Sequence, residues 1–179
     1  MIRRIVAMLA TDSRGAAVIE MALVAPILAL TVIGIVDMSN AYSRKLALEQ
    51  GAQRAVEKIM NTTETSTVEA TLANEVKCQV NGGTTSGGVT TCNTSATQNI
   101  TVSWRLDCKT GTNTVSTTTT DSATYDTLVA ACTSPSTRAG YVQVTVTDKY
   151  SPMFPVHFAS FNTSDSTYHI AATAGVRTM

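Results

Sequence analysis

Three patterns of apolar and polar positions follow one another along the chain. From Ala16 to Val36 almost every position is apolar. At about 1.5 Å per helical residue a run of about 21 residues reaches ~31 Å, the thickness of a hydrocarbon core, so it reads as a transmembrane segment. From Leu48 the apolar residues thin to helical spacing, through Ala52, Ala55, Val56 and Ile59, with Gln50, Arg54, Glu57 and Lys58 between them. The two patterns join without a break and predict one long helix, membrane-spanning over 16–36 and amphipathic over 37–61. Pro26 and Gly34 predict a kink or looser hydrogen bonding in the apolar half, because proline removes a donor and crowds the preceding turn. The helix is expected to stop near "NTTET", where Asn and Thr side chains compete for the backbone.

Past residue 61 the pattern shortens and the chain becomes rich in Thr, Ser, Asn and Gly. "STVE" at Ser66–Glu69 has the form of a capping box, with Val68, Leu72 and Val76 on one stripe, and predicts a short helix. "NGGTTSGG" reads as turn. Period-two alternation then predicts three strands: Ile100, Val102, Trp104 and Leu106; Val142, Val144 and Val146; Ile170, Ala172, Ala174 and Val176. "TGTNTVSTTTTD" is low-complexity and polar and is expected to be an exposed loop, and Asp121 to cap a short helix leading to Cys132. The fold class is therefore α+β, a long N-terminal helix packed on a small antiparallel sheet over 62–179, the helix's amphipathic half supplying a core face.

Composition narrows the function. The chain has 179 residues, 13 Lys and Arg against 13 Asp and Glu, and no basic cluster beyond its first residues. Phosphate recognition draws on concentrated Lys and Arg, so nucleic acid is excluded as a partner. Arg3, Arg4 and Arg14 precede the apolar run and Asp37 follows it; Arg44 and Lys45 weaken this bias without reversing it. The positive-inside rule then places the N-terminus in the cytoplasm and the sheet domain outside it. Cys78, Cys92, Cys108 and Cys132 form an even set suited to an oxidising compartment, and none shows the C-x-x-C spacing of a metal or redox site. Four cysteines allow three pairings; the sequential one, Cys78 with Cys92 and Cys108 with Cys132, is expected, although sequence alone leaves the connectivity open. His157 and His169 have Asp165 and several Ser nearby, but no nucleophile, zinc or phosphate motif accompanies them, so no enzyme and no cofactor is expected. Pro152 and Pro155 bracket Met153 and Phe154, reading as a rigid surface loop or a subunit contact.

Glu20 stands out, a carboxylate near the start of an apolar run. Ionisable groups in such runs are expensive and are functional candidates by default. Gly15 lies five residues before it. "RGAAVIEMALVAPILALTVIGIVDMSNAYSRKLALEQGAQRAVE" resembles the N-terminal region of TadE/TadF-like minor pseudopilins of tight-adherence (Flp-type) pili, within the type IV pilin class: a G-A-A-x-x-E start, an L-x-x-P-I-L step, a G-x-x-[DE] exit and an Ala-rich amphipathic continuation. Met21 stands where many relatives carry Tyr or Phe. "VQVTVTDKYSPMFP" is loosely similar to a later family segment. The resemblance implies a leader over 1–15 and cleavage by a prepilin peptidase between Gly15 and Ala16. It also implies assembly through Glu20, whose carboxylate would meet the freed amine of Ala16 on a neighbouring subunit. The implied partners are other pilins or pseudopilins, the peptidase, the pilus assembly platform and the lipid bilayer. The implied location is the inner membrane, then the pilus at the cell surface, in an adhesive role. The alternatives are a membrane-anchored envelope binding module and a secreted protein cut at the small-x-small site Ser39–Ala41.

Overall fold

One helix, α1 (Ser13–Asn61), carries both apolar patterns. The structure, a computed structural model, describes residues 13–61, 69–86, 89–133, 136–154 and 161–179. Residues 1–12 of the expected leader, Ser66 and Val68 of the expected capping box, Pro155 and His157 lie outside them. The helix is continuous through Gly15, Pro26 and Gly34. Glycine permits the backbone to leave helical geometry without forcing it to. Pro26 cannot donate to the carbonyl of Ala22, and a single missing bond leaves the flanking turns intact. The chain divides into two compact units, Met1–Ala41 with Pro152–His157, and Tyr42–Ser151 with Phe158–Met179.

The first unit holds the apolar part of α1. It is long and apolar enough to cross a membrane, with mean hydropathy 2.4 over its best window. Val18, Ile19, Leu23, Ile27, Val32 and Ile35 are all more than half exposed. A helix apolar all round needs lipid or protein around it.

The second unit is built on an antiparallel sheet in the order β4-β3-β5-β7-β6. Its strands are β3 (Asn99–Thr110), β4 (Asn113–Thr119), β5 (Thr137–Tyr150), β6 (Phe161–Asn162) and β7 (Thr167–Arg177). Register aligns the expected apolar sets across strands: Val102, Val144 and Ala174 form one row, Trp104, Val142 and Val176 the next. The opposite face carries rows of Thr101, Thr145 and Thr173, and of Arg105, Tyr141 and Arg177. Strand alternation thus puts one face in the core and one in water. The core is closed by Leu48, Ala52, Ala55 and Val56 of α1 and by Leu72 and Val76 of α2 (Glu69–Asn81), all buried. Ile59 is half-buried beside them.

Two expectations are corrected. "TGTNTVSTTTTD" is not a loop: it holds β4, paired with β3 from Trp104↔Thr119 to Thr110↔Asn113. Gly111, at φ 63°, supplies the positive first turn position of a two-residue hairpin. An edge strand needs backbone pairing and β-branched residues rather than an apolar stripe, and threonine meets that need while largely exposed. "NGGTTSGG" likewise holds more than turn, since β1 (Gly83–Ser86) pairs with β2 (Val89–Cys92) in a small hairpin. After β4, the Asp121 side chain accepts from Thr124 N at 2.8 Å and caps α3 (Ser122–Ala131), as its sequence position suggests.

Candidate functional site

Glu20 is exposed on the apolar part of α1. It lies four residues beyond Ala16, ~6 Å along the axis, close enough to an end of the run to snorkel toward headgroups. Gly15 and Ala16 lie within the helix.

Asp37 closes the apolar run from the other end and is 4% exposed. Its Oδ1 accepts from Met153 N at 2.9 Å and its Oδ2 from Phe154 N at 3.0 Å. Asn40 Nδ2 lies 3.6 Å from Met153 Sδ. Both carboxylate oxygens are therefore met by backbone donors, the charge-assisted arrangement that makes a buried carboxylate tolerable. The loop Pro152–Phe154 is fastened to the helix where the apolar residues end. In the sequence Asp37 marks only the orientation and the exit of the apolar run, and nothing near it signals this role. The two partners are 116 residues apart, so no local pattern connects them.

In the second unit, α1 is held by ion pairs. Asp148, at the end of β5, is 4% exposed and lies 2.7 Å from Arg44 Nη2. It also accepts from Thr97 Oγ1 at 2.6 Å and from Lys149 N at 2.8 Å. Arg44 Nη2 donates as well to Asn81 Oδ1 at 3.1 Å, and Asn81 Nδ2 reaches Gln98 Oε1 at 2.8 Å. One turn pair further along, Glu75 of α2 bonds Lys58 at 2.8 Å and Arg54 at 3.4 Å. The Lys58 hydrogen bond, with Arg54 assisting against partial burial, holds the Glu75 carboxyl below its ordinary value. Between these pairs Gly51 brings α1 close to α2: a Cβ there would lie 2.6 Å from Val80 Cγ2.

Cys78 is bonded to Cys92 and Cys108 to Cys132. The first bridge ties α2 to β2, the second β3 to the end of α3. His169 sits on β7, its Nε2 2.6 Å from Asp165 Oδ2. His169, Lys149 and Thr167 together hold the Asp165 carboxyl well below the usual carboxylate range. The nearby Ser164 hydroxyl donates to Asn162 Oδ1 at 2.7 Å. Among the described residues no group of three or more His, Cys, Asp or Glu is placed to hold a metal ion.

The side chains at 17–57 therefore comprise an exposed apolar helix bearing Glu20, an exit carboxylate at Asp37 and an amphipathic continuation locked to a folded domain. This stretch matches the TadE-like protein family over residues 15–57. The likeness covers about a quarter of the chain. The match begins on Gly15, takes in Glu20 and Asp37, and ends within the amphipathic half at Glu57. It is consistent with a TadE-like protein of the tight-adherence pilus system, whose members are structural rather than catalytic. It points to membrane anchoring through the N-terminal helix and to interaction with other pilus components. No curated protein and no solved structure matches the chain.

Proposed function

We propose that this chain is a minor pseudopilin: inserted with its N-terminus in the cytoplasm, cut by a prepilin peptidase between Gly15 and Ala16, and incorporated into a tight-adherence pilus or its initiating complex through α1. The observation that carries the reading is the TadE-like match over a helix whose apolar surface is almost wholly exposed and bears one acid, Glu20. A folded domain with two disulfides suits an extracytoplasmic compartment. The leader of 15 residues would leave at a glycine, whose helix preference is about 1 kcal/mol below that of alanine and whose backbone leaves helical geometry readily.

In this reading Glu20 waits near the membrane interface and is neutralised on assembly by the Ala16 ammonium of the next subunit. Opposite charges ~4 Å apart attract by about 4 kcal/mol at an effective dielectric constant near 20. An unpaired charge in the bundle is penalised, so the pair fixes axial register as well as adding affinity. The test is Glu20→Gln in the native host. The variant is expected to insert and be processed normally yet be lost from sheared pili; undiminished incorporation would remove Glu20 from the mechanism.

A further inference from the structure

The Asp37 carboxylate has a consequence beyond satisfying itself. It follows the last residue of the apolar run, and it holds the backbone of Met153 and Phe154 at 2.9 and 3.0 Å. Met153 and Phe154 are therefore fixed beside the helix at the level where the apolar run ends. Met153 reaches Asn40, three residues or ~4.5 Å beyond Asp37 along the axis, which is within the depth of a headgroup layer. Its side chain is nevertheless 69% exposed, and Met38, on the same stretch of helix, is 61% exposed. Pro152, with its fixed φ and missing donor, stiffens the approach to the tip. The amides of Met153 and Phe154, which would resist leaving water, are already bonded to Asp37.

We propose that the Met153–Phe154 tip is an interfacial membrane anchor, seated among the headgroups and upper acyl carbons of the outer leaflet and held there by Asp37. The inference rests on α1 crossing the membrane, and commits to lipid as the occupant because the tip is continuous with the surface lipid must cover. An apolar side chain presented at that boundary gains by entering the interface, and the clasp removes the cost of ordering the loop when it does. The anchor sets the depth of the helix and keeps the subunit in the bilayer until extraction.

The test uses the full chain in vesicles of phosphatidylethanolamine and phosphatidylglycerol. All four native cysteines are in disulfides, so a single added thiol can carry a fluorescent label. Labels at Met153→Cys and, within the apolar run, at Ile27→Cys are exposed to lipids brominated at shallow or deep acyl positions. The expected result is quenching at 153 by shallow bromines, at least twofold stronger than by deep ones, with Ile27 quenched by deep bromines. Combining Asp37→Ala with the 153 label should abolish its quenching and leave that at Ile27. Quenching at 27 without any at 153 overturns the anchor while leaving the membrane helix in place. Absence at both overturns the spanning helix and the anchor with it. A 153 label unquenched in vesicles but shielded from water in assembled pili assigns the tip to a subunit contact and overturns the lipid assignment.

Discussion

Arg44 on α1 and Asp148 on β5 form an ion pair of 2.7 Å whose acid is almost fully enclosed. Asp148 is anchored in addition by Thr97 and by the amide of Lys149, so it is committed to its position, while Arg44 keeps about a quarter of its side chain in water. Removing the arginine strands a buried carboxylate that retains part of its hydrogen bonding. Arg44→Met is expected to destabilise the domain by about 2–3 kcal/mol, below the full value for a wholly buried pair. Trp104, the one tryptophan and 4% exposed, reports the unfolding in urea. Arg44→Met combined with Asp148→Leu should recover part of the loss; a double variant no better than the single one would show that the buried charge is not what Arg44 answers.

Gly51 tests the approach of α1 to α2. Alanine at this position gains about 1 kcal/mol of helix preference but forces its Cβ against Val80 Cγ2, and overpacking of this kind costs about 1–3 kcal/mol. Gly51→Ala should therefore be neutral to destabilising by about 2 kcal/mol. In a Val80→Ala background, where the colliding methyl is gone, the same change should become stabilising. Thermal melts of the four proteins decide it, and a Gly51→Ala gain independent of residue 80 would contradict the close packing.

The disulfides close loops of 14 and 24 residues. Restricting the unfolded chain over such spans stabilises by about 3 kcal/mol per bridge. Cys78→Ser with Cys92→Ser, and Cys108→Ser with Cys132→Ser, should each lower the midpoint in urea accordingly. The second pair should cost at least as much as the first, because it ties β3 of the main sheet to α3.

Acid should unfold the domain through its paired carboxylates. The hydrogen bond from Lys58 depresses Glu75, and hydrogen bonds from Arg105, Thr124 and His169 depress Asp107, Asp121 and Asp165 in turn. A depressed folded-state value means that the unfolded chain takes up protons first, so the contribution is whole above the ordinary value, about 4.5 for Glu75, and is lost as pH falls through the folded one. The melting temperature should be level from neutral pH to about 5 and fall below about 4. Glu75→Gln should lower the plateau and shallow the acid slope. An acid slope unchanged by Glu75→Gln would mean that the Lys58 and Arg54 contacts do not persist in solution.

The parts of the fold legible from sequence are those where burial imposes a short period. Val102, Trp104 and Leu106, or Val142, Val144 and Val146, alternate because every second residue must enter the core. Leu48, Ala52, Ala55 and Val56 recur at helical spacing for the same reason. β4 is not legible because its pairing rests mainly on backbone atoms and needs no apolar stripe, and Thr114–Thr119 looks the same in a loop as on an edge. Glu20 stands out as a carboxylate inside an apolar run, and Gly15 by lying five residues before it. Asp37 and Asp148 did not, since a carboxylate beside polar neighbours reads as solvated; their roles come from Met153 and Arg44, each more than 100 residues away.

The most direct measurement is N-terminal sequencing, with intact mass, of the protein isolated from its native membrane and pili. A pseudopilin processed and assembled through the helix that begins the TadE-like match yields a chain starting at Ala16. A chain that keeps residues 1–15, or one that starts beyond Ala41, contradicts the proposal.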